Sequence, residues 1–263
     1  MSRPNSSRAA ASRRDDVRLE RILAPTDFSD GARHAIARAA AIASSHGAAL
    51  HLVHVLRPDA PKAQRVAIRR VAEAKLREAA ASVQTSSATA HLAVSTELIT
   101  GEPFLEIIRC SRERGASLIV VGRHGSGAIQ DLFLGTTAER VIRKGDAPVL
   151  VVSQDAGRPY RRPLIATDLG DTTSRLVRLG LLVAGPSVKR ARLVHAYHVP
   201  FEGFVSPTEG ARLASDYRRH FRDAAATALG EIVVGLTSAG VPLETTLRCG
   251  DARSVILGEL LRC

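Results

Sequence analysis

SLIVVGRHGSGAIQDLFLGTTAER, residues 117–140, passes from an unbroken apolar run into a loop with four glycines and then into a helix-forming segment. An apolar run of this length, bounded by glycine, reads as a strand covered on both faces, as in a parallel sheet. The loop fits neither GxxxxGK followed by Ser or Thr nor GxGxxG, so the P-loop and the dinucleotide fingerprint are both excluded. What remains is Gly122-x-x-Gly125, nine residues, then Gly135-Thr136.

Gly122 and Gly125 at the end of a strand let the backbone turn sharply and approach a ligand closely, because no Cβ stands in the way. Gly135-Thr136 starts a helix whose first N–H groups and positive dipole end favour an anion. Thr136-x-x-Glu139 also has the spacing of a capping box. Taken alone, the same residues also fit an ordinary turn followed by a capped helix.

Working outward, strands and helices alternate. ILA in ERILAPTDFS is a first strand, and Ser29-Asp30-Gly31 offer an N-cap to a helix in which Ala35, Ile36, Ala39, Ala40, Ile42 and Ala43 recur at helical spacing and Gly47 supplies the stop. ALHLVHVL is a second strand. Residues 62–83 read as an amphipathic helix with Val66, Val71 and Leu76 inward, TELIT as a third strand, and Glu102-Pro103 as the opening of a further helix, proline suiting its first turn. SLIVV is strand four, residues 136–144 a helix ended by Gly145, and APVLVV strand five. The pattern predicts an open parallel five-stranded α/β sheet with helices on both faces. Asp27 then falls just past strand one, where such sheets bind ligands if strand order reverses.

The pattern starts again after residue 160. Ile165-Ala166-Thr167-Asp168 matches Ala24-Pro25-Thr26-Asp27, ARLVHAYHVP echoes LHLVHVLRP with His195 opposite His54, and Gly250-Asp251 stand opposite Gly101-Glu102. The second copy stops at Cys263, before any counterpart of strand four or the glycine loop. The expected layout is a basic tail at 1–18, a complete unit at 19–154 and an incomplete copy at 160–263.

Bulk composition limits the function. At 45% hydrophobic and 24% charged, the chain can build a core. No apolar run spans a bilayer and no signal-type apolar region opens the chain, so a soluble cytoplasmic protein is expected. MSRPNSSRAAASRRDD has a composition shared by disordered tails and transit peptides, and is read as a tail. Cys110, Cys249 and Cys263 are three cysteines without CxxC spacing, which suggests neither a disulfide framework nor a zinc site. The net charge of +11 comes almost wholly from arginines scattered along helices, and with no Trp there are few stacking platforms, so specific nucleic-acid binding is not expected.

ILAPTDFSDGA, LHLVHVL and GRHGSGAIQDLFLGTTAERVIRKGDAPVLVV resemble the universal stress protein family, whose nucleotide-binding members carry Gly-x-x-Gly, nine residues and Gly-Ser/Thr. The resemblance covers residues 19–153, and residues 160–263 are similar to the opening part of a second copy, as in tandem members. It implies the adenine nucleotide alpha hydrolase-like fold and a site for ATP, ADP or AMP, with or without Mg2+. Pro25, Thr26 and Asp27 would line the adenosine end and the Val55 backbone would read the adenine edge. Gly122, Gly125, Gly135 and Thr136 would hold ribose and phosphates, with Val121 packed at the base of the loop. Arg123 would add a cation beside the phosphates.

The second copy keeps Asp168 but has Ala166 and Ala196 where the first has Pro25 and Val55, and it lacks the glycine loop. One nucleotide site is therefore expected. The family's fifth strand commonly pairs subunits, which implies a homodimer or pairing of the two copies within the chain. His124 reads as a solvent-facing loop residue, and His54 and His195 as structural strand-end histidines without the rest of a metal site. No catalytic set is expected. The functional expectation is a nucleotide-binding regulatory or stress-response protein with an unidentified protein partner; a slow ATPase and a nucleotide-independent interaction module are the alternatives.

Overall fold

Ile22, Leu23 and Ala24 are buried one after another in β1 (Arg21–Pro25), as are Leu118 to Val121 in β4 (Leu118–Gly122), so both strands are covered on both faces. The computed structural model describes residues 17–59, 61–123, 134–153, 158–199, 211–236 and 240–262. The chain divides into two units, Arg18–Arg158 and one running from Pro159. The tail expected at 1–18 falls, through residue 16, outside the described residues.

In the first unit β1 is followed by α1 (Asp30–His46), β2 (Ala49–Leu56), a short 3-10 turn (Lys62–Gln64), α2 (Arg65–Gln84), β3 (Val94–Thr100), α3 (Pro103–Glu113), β4, α4 (Thr136–Lys144) and β5 (Val149–Val152). The five strands are parallel in the order β3-β2-β1-β4-β5. Since β1 lies between β2 and β4, chain direction along the sheet reverses there, and the crevice opens beyond the carboxyl ends of β1 and β4.

Local chemistry sets the helix ends. Ser29 caps α1 by accepting from the Ala32 N–H (3.2 Å), and Gly47 ends it in the left-handed region at φ 63°. Pro103 occupies the first turn of α3. On one face of the sheet Leu23, Val53, Ile119 and Val121 pack with Phe104, Ile107 and Ile108 of α3 and Val141 of α4. The opposite face is covered by α1 and α2.

One helix turns differently from the sequence expectation. In α2 Val66 is 71% and Val71 56% exposed, while Leu76 is 2% exposed, and the inward face is Ala72, Leu76 and Val83. Steps of five residues rotate around a helix by about 140°, so Val66, Val71 and Leu76 cannot share a face; steps of four and seven can.

The second unit contains β6 (Leu164–Ala166), α5 (Thr173–Ala184), β7 (Ala191–Tyr197), α6 (Ala211–Leu236), β8 (Leu243–Cys249) and α7 (Ala252–Leu260). Its three strands are parallel in the order β6-β7-β8. Ile165, Val177, Leu193, Leu229 and Leu236 form its core.

Candidate functional site

The exit of β1 is a rigid turn built from side-chain to main-chain bonds. Thr26 extends the ladder by donating its N–H to the Val53 carbonyl (2.8 Å), and its own Oγ1 accepts from the Phe28 N–H (3.0 Å). The exposed Asp27 carboxylate accepts from the Ser29 N–H (3.1 Å) and hydroxyl (2.5 Å). Phe28 sits at φ 64°, a left-handed conformation that a phenylalanine adopts only when neighbours enforce it. His54 supplies one such restraint, donating from Nδ1 to the Thr26 carbonyl (2.7 Å), with its ring 4.4 Å from that of Phe28. The ladder with β1 ends at Pro25 opposite Val53, and strand parity turns the main chain of Val55 toward the same side, beyond the end of β1.

At the neighbouring strand end, Gly122 is pressed against the first turn of α1. A Cβ there would meet the carbonyl carbon and oxygen of Gly31 at 2.6 Å and the Ala32 nitrogen at 3.0 Å. The close approach that Gly122 permits is thus to a helix of the same chain, which brings the amino end of α1 beside the end of β4. Arg123 then donates its N–H to the Val152 carbonyl and accepts from the Gly135 N–H, both at 2.9 Å. The second of these bonds clamps the start of α4 to the end of β4. Val121 is buried beneath, in contact with the core that includes Ala138 and Val141 of α4. Gly125 and His124 lie outside the described residues.

The capping box expected at Thr136 and Glu139 does not form. Gly135 is the N-cap, no side chain caps α4, and Thr136 is its exposed first residue. The Glu139 N–H bonds back to the Gly135 carbonyl (3.0 Å) and its carboxylate pairs with Arg143 (3.0 Å), one turn further on. A helix start without a side-chain acceptor keeps its N–H groups for other partners. The structure therefore gathers Pro25, Thr26, Asp27, Val55, Gly122, Arg123, Gly135 and Thr136 around the carboxyl ends of β1, β2 and β4.

The second unit repeats the exit turn. Leu169 sits at φ 63° as Phe28 does at 64°, its N–H donates to Thr167 Oγ1 (2.9 Å), Asp168 accepts from the Gly170 N–H (2.9 Å), and His195 Nδ1 donates to the Thr167 carbonyl (2.8 Å). Both strand-end histidines thus hold turns, as expected of structural residues. Among the described residues no strand stands beside β6 on its other edge.

A second polar cluster was not legible in the sequence. Beneath α3, toward the amino-terminal half of the sheet, His51 Nδ1 lies 2.7 Å from Ser95 Oγ and Nε2 lies 3.2 Å from Glu97 Oε2, while the Cys110 thiol lies 3.9 Å from the same oxygen. Arg114 grips that carboxylate through Nε (3.1 Å) and Nη2 (2.5 Å). Burial, together with the Arg114 charge, holds the His51 pKa below its ordinary value. The Arg114 hydrogen bond holds Glu97 low, and burial, with the Glu97 charge, pushes the Cys110 thiol up. Only the strand register brings 51 opposite 95, so spacing along the chain carried no signal of the cluster.

Comparison with known proteins agrees with this geometry. The model of the universal stress protein family matches residues 18–153. A universal stress protein of Thermus aquaticus, encoded in the 3' region of a QAH/OAS sulfhydrylase gene, is 34% identical over 139 residues, which cover 50% of this chain and 96% of that protein. One from Methanocaldococcus jannaschii is 29% identical over 140 residues, 51% of this chain and 82% of the relative. The crystal structure of a universal stress protein from Archaeoglobus fulgidus shares the fold over 93% of this chain and 84% of its own, at TM-score 0.68 and 18% identity. Among the described residues no helix is long and apolar enough to cross a membrane. With the matched segment coinciding with the five-stranded sheet and its strand-end crevice, the chain belongs to the universal stress protein family.

Proposed function

We propose that the first unit binds one adenine nucleotide, ATP, ADP or AMP, in the crevice beyond β1 and β4, and that occupancy regulates a protein partner in a cytoplasmic stress response. The observation that carries this reading is the convergence of two helix starts on one strand end: α1 packed on Gly122, and α4, uncapped by any side chain, clamped to Arg123. Partial positive charge from both helices falls where a phosphate chain would lie. Pro25 and the Val55 main chain face the adenosine end, and Asp27 faces the ribose or a Mg2+ on the phosphates.

A nucleotide changes the state of a protein only through different affinities for two states, so regulation here requires that the first unit bind it more tightly in one state than in another. β5 lies at the edge of the five-stranded sheet and offers a strand for pairing with a second copy of the chain. The second unit keeps Asp168 but has Ala166 and Ala196 where the first has Pro25 and Val55, so the nucleotide is assigned to the first unit.

The test is to denature freshly purified protein and identify the released small molecule by chromatography and mass spectrometry, in wild type, Asp27→Ala and Gly135→Val. Gly135 has φ −60° and ψ 140°, which any residue adopts, so valine there adds bulk at the phosphate site without backbone strain. Near-stoichiometric adenine nucleotide in wild type and its loss from the variants is expected. No nucleotide in wild type, and no uptake when ATP is added, would overturn the reading.

A further inference from the structure

We propose that His51, Glu97 and Cys110 form a metal site in the first unit, taking one zinc-class divalent cation through Nε2, a carboxylate oxygen and Sγ, with water as the fourth ligand. The three donor atoms already lie within 4.8 Å of one another. A tetrahedral zinc ion with bonds of about 2.0–2.3 Å places its ligands about 3.3–3.8 Å apart, so small side-chain rotations are enough to close the shell. A nitrogen, an oxygen and a sulfur donor suit zinc and its analogue cobalt better than the hard cations calcium and magnesium.

The surroundings are those of a held ligand set. Cys110 is 1% exposed and His51 is buried, so both are fixed by packing. Ser95 Oγ at 2.7 Å can accept the Nδ1 proton of His51, which leaves the Nε2 lone pair directed at Glu97 and the ion. Binding replaces the Cys110 S–H bond with a metal–thiolate bond and releases that proton to solvent. Arg114 is the competing cation; its side chain is 43% exposed and hangs from the end of α3, where it can turn to water when the metal takes Glu97.

The second unit offers an internal comparison. His51 pairs in register with Ser95 as Arg192 pairs with Glu244, and Glu259 of α7 stands beneath its helix as Cys110 stands beneath α3. There Arg192 reaches Glu244 (3.1 Å) and Glu259 (3.4 Å), and Arg248 and Arg262 also bond Glu259. In the second unit three arginines, Arg192, Arg248 and Arg262, fill this place, whereas in the first Arg114 alone holds Glu97, beside two donors, His51 and Cys110, that can bind an external cation.

The experiment uses the full chain with Cys249→Ser and Cys263→Ser, so that Cys110 is the remaining thiol, titrated with Co2+ and then with Zn2+. A thiolate-to-cobalt charge-transfer band with tetrahedral visible bands, saturating at one ion per chain and bleached by Zn2+, is expected. The band should vanish in Cys110→Ser and in His51→Gln, each checked for native circular dichroism, and Arg114→Ala should bind Co2+ severalfold more tightly. No band in the parent chain, a band that survives both ligand substitutions, or weaker binding in the natively folded Arg114→Ala protein would overturn the proposal.

Discussion

Gly122 and Gly31 are in such close contact that no side chain fits between them: a Cβ on Gly122 would lie 2.6 Å from the Gly31 carbonyl carbon and oxygen. The requirement is for space, since Gly122 ends a regular strand. Even alanine must push α1 away from β4, and overpacking of this kind costs about 1–3 kcal/mol. Gly122→Ala should unfold at lower denaturant than wild type, whereas Gly135→Ala should unfold close to it. Equal stability of wild type and Gly122→Ala would show that α1 shifts at no cost. The contact also governs how the nucleotide site is tested, because a substitution at Gly122 that abolishes binding could do so by displacing α1.

His54 and His195 hold equivalent carbonyls, Thr26 and Thr167, each 28 residues before the histidine that binds it. A phenylalanine at either position keeps a planar ring and loses the donor. His54→Phe and His195→Phe should each cost about 1 kcal/mol in denaturant unfolding, the usual net value of one hydrogen bond. His54→Phe should in addition weaken nucleotide retention, because it loosens the Thr26-Asp27 turn; His195→Phe should not. Equal nucleotide loss in the two variants would remove the link between the His54 bond and the site.

The outward placement of Val66 and Val71 makes an opposite prediction to that of their neighbour Leu76. Val66→Lys and Val71→Lys should change stability by no more than about 0.5 kcal/mol, as surface substitutions do. Leu76→Ala, by emptying a fully enclosed site, should cost about 2–5 kcal/mol. A large loss from Val71→Lys would mean that this helix face is covered by something else.

The alternation of strands and helices and the ends of α1 and α3 were readable because each rests on local chemistry, whereas the strand order came only from the fold. Gly47 and Pro103 punctuate α1 and α3, and unbroken apolar runs mark β1 and β4. What was misread depended on rotation or on distant neighbours. Val66 and Val71 are apolar residues at the wrong angular spacing, and Glu139 finds Arg143 on its own helix as a better partner than a capping N–H. Gly122 was legible as a glycine that something approaches closely, but only the fold shows that the approaching group is Gly31. His51, Glu97 and Cys110 come from two strands and a helix, and no periodicity along the chain relates them.

Asp251 provides the pH dependence. It caps α7, accepting from the Ser254 N–H (2.9 Å) and hydroxyl (3.0 Å), and those bonds hold its carboxyl below the ordinary aspartate value. A depressed folded-state pKa adds stability that is complete above the unfolded value and disappears as pH falls through the folded one. Acidification from about pH 5 toward pH 2 should therefore loosen α7 in wild type. Asp251→Asn keeps an oxygen acceptor for the Ser254 N–H and does not titrate, so its α7 should respond less to the same change. Amide exchange of residues 252–260, followed in both proteins across this range, is the direct measurement. Identical acid responses in the two would show that the charge on Asp251 contributes nothing beyond the hydrogen bonds of the cap.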